Sequence, residues 1–305
     1  MAPVRGILLI LCAVSLFTLM QAFIKAASVR VPAGQAVFFR AFLSLPLIAL
    51  WLWWRRDLRA GLQTDNWRAH AVRGIAGTCA MGMGFAGLAY LPLAEATAIR
   101  FVTPVMLVIF AALILGETFR VIRILAVILG LFGVTIIVWP RLGQDSLGAG
   151  ALLGVGLTLA SATLAALAQT FIKAMSGTER VEAIVFYFSA TASVLSLLTL
   201  PFGWVVPDAR EWALLIGAGL IGALGQVLLT SSYRHADAGA LAPFTYVSML
   251  WAILVGYLWF SEIPTVQTLA GAVLVIAAGI IIVLRERRLA KDAIARRKLR
   301  SKGMM

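Results

Sequence analysis

The stretch Gln21-Ala22-Phe23-Ile24-Lys25-Ala26 returns as Gln169-Thr170-Phe171-Ile172-Lys173-Ala174, 148 positions later. Both copies sit inside long apolar runs, where a Lys is an expensive residue, so the same Gln and Lys at the same spacing mark a duplication. The match extends outward. Val37-Phe38-Phe39 meets Val185-Phe186-Tyr187 at the same offset of 148, Tyr90 meets Tyr233 and Phe101 meets Phe244 at 143, and Glu117 meets Glu262 at 145. Their order is preserved, and the small changes of offset fall in loops. The chain therefore divides into residues 1–144, residues 145–284 and a basic tail, residues 285–305.

Of the 305 residues, 62% are apolar and 13% charged, against about 45–50% and about 25% in soluble domains. A water-exposed surface cannot be built from this composition, which excludes a soluble enzyme or a DNA-binding domain. Apolar runs between polar breaks give ten expected transmembrane helices, at 6–27, 34–54, 71–91, 95–115, 121–139, 149–175, 182–204, 211–232, 238–260 and 265–284. Runs of this kind cross a hydrocarbon core about 30 Å thick. Met1 to Ala27 resembles a cleavable leader, but its return in the second copy identifies it as the first span.

Each copy holds five spans. Five is odd, so the second copy enters the bilayer upside down relative to the first, giving two inverted repeats about a pseudo-two-fold axis in the membrane plane. Such symmetry makes two packings, open to opposite sides, similar in energy. Lys and Arg set the orientation, because cytoplasmic segments are enriched in them. With the N-terminus inside, nineteen of the 26 lie in inside segments, nine of them in the tail, and Arg30, Arg141 and Arg210 lie outside. Both termini are expected in the cytoplasm, with Arg73 counted among the inside cations and His70 and His235 in inside loops. Trp51, Trp53, Trp54 and Trp139, at helix ends, read as interfacial belt residues. The tail attracts anionic lipid and anchors the topology.

Phe38-Phe39-Arg40, Arg73-Gly74, Ala96-Thr97-Ala98-Ile99-Arg100-Phe101-Val102-Thr103-Pro104 and Gly116-Glu117 resemble the EamA-type members of the drug/metabolite transporter superfamily. Ala240-Leu241-Ala242-Pro243-Phe244 and Ser261-Glu262 continue the resemblance through the second half. It implies ten helices in two five-helix bundles around a central cavity. The Phe-Phe-Arg pattern is most similar to bacterial riboflavin and S-adenosylmethionine transporters, with amino-acid exporters a more distant comparison.

Four cations remain inside the expected spans: Lys25, Arg40, Arg100 and Lys173. Each costs about 2.5–3.5 kcal/mol near a bilayer centre, so each is a candidate substrate contact. Lys25, Arg40 and Arg100 fall in the outer half, where Glu95 is the neighbouring acid, and the positive excess favours a carboxylate, a phosphate or an electron-rich ring. The alternatives are that Lys25 snorkels to the outer interface and that Arg40 or Arg100 pairs with Glu95 or helix-end carbonyls. Gln21 and Lys25, and Gln169 and Lys173, are spaced to share helix faces and to line the two mouths of one pathway. Phe101, Phe244 and Tyr246 stand beside Pro104 and Pro243, where a freed carbonyl permits a bend and an aromatic ring can stack on a flat ligand. Gly74, Gly77, Gly217 and Gly222 belong to glycine-rich third and eighth spans that read as closely packed, sliding contacts. Glu117 and Glu262 read as caps or partners of loop cations.

Cys12 and Cys79 lack metal-ligand spacing, no phosphate-binding loop is present, and no cofactor is called for. The expectation is a secondary transporter of the bacterial inner membrane that moves a small organic metabolite by alternating access. A proton is the candidate coupling ion, through Glu95 or Asp237, and nucleic acid is not an expected partner. An exporter of amino acids or drugs is the alternative within the fold, and a membrane-embedded enzyme or lipid scramblase the alternative outside it.

Overall fold

Where hydrocarbon offers no hydrogen-bond partner, a chain must satisfy its backbone internally, and this one does so with helices. The computed structural model describes residues 2–115, 121–139, 145–175, 177–235, 241, 244–277, 280–281 and 284. The first copy comprises α1 (Ala2–Ala27), α2 (Ala33–Phe42), α3 (Ser44–Trp54), α4 (Leu58–Leu62), α5 (Trp67–Leu88), α6 (Leu93–Arg100), α7 (Thr103–Leu115) and α8 (Val121–Val138). The second comprises α9 (Asp145–Met175), α10 (Val181–Leu197), α11 (Ala209–His235), α12 (Val247–Phe260) and α13 (Val266–Ala277). Every expected span is represented by helix among the described residues. The expectations for Gly116, Glu117, Arg141, Asp237, Ala240, Pro243 and the tail fall outside them, as do those for the side chains of Tyr233 and Arg234.

Two spans are broken where proline removes a donor. Pro104 has no N–H for the Arg100 carbonyl, and α6 ends at Arg100 before α7 resumes at Thr103. Pro46 likewise has none for Phe42, and the second span divides at Leu43 into α2 and α3. The third span starts earlier than its hydropathy indicates. The Asn66 side chain accepts the Ala69 N–H at 3.2 Å and caps α5, drawing His70 and Arg73 into the helix. This corrects two expectations: His70 lies within α5 and His235 is the last residue of α11, and neither is a loop residue.

The packing repeats across the two copies. α1 runs along α11 and α5 along α9, which are equivalent pairs when the first span matches the sixth and the third the eighth. α2 meets α10, and Phe101 meets Tyr246 edge-on with ring centroids 5.0 Å apart, so the second and seventh spans and the fourth and ninth are self-paired. The fifth and tenth spans approach at Gly133 and Gly271. A Cβ at Gly133 would stand 2.8 Å from the Gly271 carbonyl oxygen, and one at Gly271 closer still to that of Gly133. Gly271→Val is therefore expected to force α8 and α13 apart at a cost of about 1–3 kcal/mol, read as a lower Tm in detergent. An unchanged Tm would remove this contact from the folding core.

The connecting segments gather at two ends, as alternating spans require. At one, Arg30 lies 3.5 Å from Asp208 and 3.4 Å from Glu211, and Gln35 donates to the Val205 carbonyl at 2.8 Å. At the other, Arg180 bonds Asp57 at 2.6 Å and Arg55 lies 3.6 Å from Glu182. The chain is an all-α polytopic membrane protein of two inverted five-helix repeats, with its main core where the repeats meet.

Candidate functional site

Arg40, Arg73 and Arg100 arrive from α2, α5 and α6 at one internal cavity of about 190 Å³. Gln21 of α1, Gln169 of α9, Phe188 of α10 and Gln226 of α11 complete the wall, so both repeats build it. A second chamber of about 200 Å³ adjoins it, sharing Phe17, Gln21, Arg100 and Gln169 and adding Phe101, Thr103 and Pro104 from the broken fourth span. Irregular backbone at membrane depth is tolerated where it lines such a cavity.

Arg40 is 3% exposed and Arg73 4%. Arg40 Nη2 donates to Gln226 Oε1 at 3.3 Å and to the Gly222 carbonyl at 3.5 Å, while its Nε and Nη1 have no hydrogen-bond partner. The Nε and Nη1 of Arg73 have none either. The guanidinium carbon of Arg73 lies 3.9 Å from the centre of the Phe188 ring, and that of Arg40 lies 5.5 Å from the same centre. Arg100 Nη1 donates to Gln21 Oε1 at 2.9 Å. No Asp or Glu is among the described residues lining either chamber. The result is a cationic cavity in a mostly apolar wall that includes an aromatic ring.

Glycines make room for these charges. A Cβ at Gly77 would collide with Arg73 Nη1 and stand 2.9 Å from Phe188 Cε2, and one at Gly222 would stand 3.2 Å from Arg40 Nε. Gly217 and Gly219 do serve close helix contacts, against Phe23 and Leu43. Gly77 and Gly222 accommodate guanidinium groups as well as neighbouring helices.

The sequence candidates separate into two sets. Gln21, Arg40, Arg100, Phe101 and Gln169 line the joined chambers. Tyr246 supports them from behind through its edge contact with Phe101, and Phe244 packs on Ile10, Val14 and Leu241. Lys25 lies outside both chambers and lines a separate cavity with Arg210 and Trp259. Its Nζ lies 3.0 Å from Glu262 Oε1 and donates to the Leu88 carbonyl at 3.2 Å and to that of Leu91, while Glu262 Oε2 accepts the Leu93 N–H at 2.8 Å. This clasp joins α1, the start of α6 and the segment after α12 across the repeats. Lys173 is exposed on α9. Glu95, the expected partner of Arg40 or Arg100, is buried and accepts the Thr268 hydroxyl at 3.5 Å.

Arg73 is the residue that the charge count misplaced. Counted as a cytoplasmic loop cation, it is buried beside Arg40. The available signal was its Gly77 partner one turn on, a spacing that clears space for a long side chain on the same helix face.

A separate buried cluster stands at the opposite end from the clasp. Glu179 accepts the Thr64 hydroxyl at 3.0 Å and the Asp65 and Asn66 N–H groups at 3.2 Å, and its other oxygen lies 3.3 Å from His70 Nε2. Burial raises the affinity of the Glu179 carboxyl for its proton, but the bonds from His70, Thr64 and Asp65 outweigh that and hold it below the ordinary value of 4.5. A depressed carboxyl contributes stability that is present above its unfolded value and lost as pH falls through the folded one. Stability of the wild type is therefore expected to fall below about pH 4.5, and that of Glu179→Gln to be lower at neutral pH and flatter across the acid range. Thermal melts from pH 3 to 7 check this; parallel curves would exclude the residue from the acid transition.

The EamA-like transporter family model matches the chain twice, over residues 4–139 and 152–284. The chain is 33% identical to the pseudopaline exporter of Pseudomonas aeruginosa over 276 residues, covering 90% of this chain and 94% of that protein. It is 32% identical to the riboflavin transporter of Rhizobium johnstonii over 262 residues, covering 84% and 83%. It is 27% identical to the S-adenosylmethionine uptake transporter of Rickettsia bellii over 265 residues, covering 87% and 88%. Solved structures share the fold, among them a crystal structure with a TM-score of 0.65 at 18% identity, covering 93% of this chain and 98% of that one. Two family matches, one on each inverted repeat, and the transporters it resembles along most of its length identify the chain as a multi-pass membrane transporter, not an enzyme, that belongs to the EamA-like transporter family of the drug/metabolite transporter superfamily.

Proposed function

We propose that this transporter is a secondary carrier that moves a small organic metabolite across the bacterial inner membrane by alternating access. The observation that supports this reading best is the cavity itself: Gln21 and Gln169, repeat-related residues, face one chamber from α1 and α9. Inverted repeats that share a central polar site provide two packings of similar energy, each exposing the site to one side. The repeat units are residues 1–144 and 145–284, with residues 285–305 as a cytoplasmic basic tail and both termini inside. A reporter fused to the C-terminus and active only in the periplasm would overturn that orientation.

The Lys25–Glu262 clasp serves as the outer gate in this reading. Lys173, related to Lys25 by the sequence offset of 148, is its counterpart at the opposite mouth. Glu95, buried in the first turn of α6, is the candidate site for a coupling proton.

The relatives are named for pseudopaline, riboflavin and S-adenosylmethionine, and a metabolite similar to riboflavin or S-adenosylmethionine is the first cargo to test. Vesicles containing the purified chain are expected to move at least one cargo among labelled riboflavin, S-adenosylmethionine and amino acids, at a rate abolished by Arg100→Ala. If none moved while labelled phospholipid flipped, a scramblase would replace the carrier reading. Movement of amino acids alone would select the exporter alternative.

A further inference from the structure

Arg40 and Arg73 are set up for a charge that the protein does not supply. They reach the same Phe188 ring from α2 and α5, with four guanidinium nitrogens buried and unpartnered. The cavity they line has no carboxylate among its described lining residues. Two like charges side by side in a buried wall repel, and a buried N–H without an acceptor costs the hydrogen bond it makes in water. An acceptor carrying negative charge removes both penalties at once, and charge-assisted bonds to carboxylate or phosphate are the strongest that a guanidinium makes.

The surroundings indicate an organic anion over a bare counter-ion. Gly77 and Gly222 let the two guanidinium groups lie close against the helices, at the wall of a cavity of about 190 Å³ and not in a pocket sized for a single ion. The same wall also carries Phe17, shared by both chambers, and Arg100 and Gln21. A molecule whose oxyanion meets the paired arginines thus finds aromatic and further polar groups in the same cavity.

The geometry points to Arg40 and Arg73, backed by Phe188, as the site for the carboxylate or phosphate group of a cargo with net negative charge. The inference rests on the central cavity being the transport site. It also revises the order in which cargoes are tried: acids and phosphate esters come ahead of the neutral and cationic metabolites that the relatives' names suggest.

The test has a binding arm and a transport arm. In the first, the full chain in detergent is melted with succinate, with inorganic phosphate, with the neutral diamide of succinate and with sodium chloride at matched ionic strength. Succinate or phosphate is expected to raise the Tm saturably, the responding one identifying carboxylate or phosphate as the preferred group, while the diamide and chloride do not. Arg40→Gln and Arg73→Gln are each expected to weaken that binding by at least about tenfold, the equivalent of one charge-assisted hydrogen bond. Arg73→Lys, which keeps the charge, is expected to retain part of it, and serves as the folded control should the Gln variants fail to purify. Equal stabilisation by chloride, no response to either oxyanion, or unchanged affinity in the variants would overturn the inference.

In the second arm, vesicle transport is measured with and without the same anions. A cargo that moves while no oxyanion binds or competes leaves the carrier intact and removes the anion site. Oxyanions that bind through Arg40 and Arg73 while no cargo moves leave the site intact and remove the carrier.

Discussion

Replacing Arg73 by Met is expected to abolish transport while raising the Tm of the detergent-solubilised protein by a few degrees. The guanidinium is 4% exposed, has two unpartnered nitrogens and shares the Phe188 ring with Arg40. A membrane-buried cation costs up to about 2.5–3.5 kcal/mol, and each buried N–H left unmade adds about 1–3 kcal/mol. Against this stands a cation–π contact of about 2 kcal/mol. The balance favours the apolar side chain for folding and the charged one for cargo. A residue that destabilises the resting protein while completing a site with substrate has the signature of function traded against stability. Melting curves and vesicle transport on the same preparation decide it. A variant that melts lower and still transports would make Arg73 a structural strut.

Glu262→Gln is expected to release the clasp and expose the chambers from that end. The Lys25 and Glu262 side chains retain only 14% and 19% of their exposure, and the carboxylate also receives the Leu93 N–H. Exposed ion pairs contribute about 0.2–1 kcal/mol, and breaking a fully buried one costs about 3–5 kcal/mol. This half-buried pair with extra backbone bonds falls between, at about 1–3 kcal/mol, enough to shift a two-state equilibrium about 5- to 150-fold. A Ser248→Cys reporter in the second chamber, in a background lacking Cys12 and Cys79, measures the opening. Its reaction with an impermeant maleimide should accelerate in Glu262→Gln and Lys25→Ala and slow again in the charge-reversed double variant. If neither single variant changed the rate, the clasp would be packing and no gate.

The boundaries of the spans were legible because hydrocarbon imposes one solution on a long apolar run. The exceptions are local. Asn66 starts α5 before the hydropathy rises, which is how His70 comes to lie in a helix and not in a loop, and Arg73 well inside it and not at its edge. A cap is a single side-chain bond and leaves little trace in an average over many residues. Within the site, intramembrane charge singled out Arg40 and Arg100, and the duplication singled out Gln21 and Gln169. The same rule placed Lys25 with them. The structure instead joins Lys25 to Glu262, 237 positions further along, because a side chain at a helix end reaches whatever acid the other repeat brings near.

Composition, the returning Gln-Ala-Phe-Ile-Lys stretch and the odd number of spans determined by themselves that this chain is a membrane protein of two inverted halves. Those are consequences of solvent and parity, and they need no coordinates. Which polar side chains meet is a different matter. That Arg40 and Arg73 share Phe188 while Lys25 leaves the cavity for Glu262 was decided only by tertiary structure, since it depends on how helices from opposite halves rotate and approach, and the glycines that permit that approach act through the absence of a side chain.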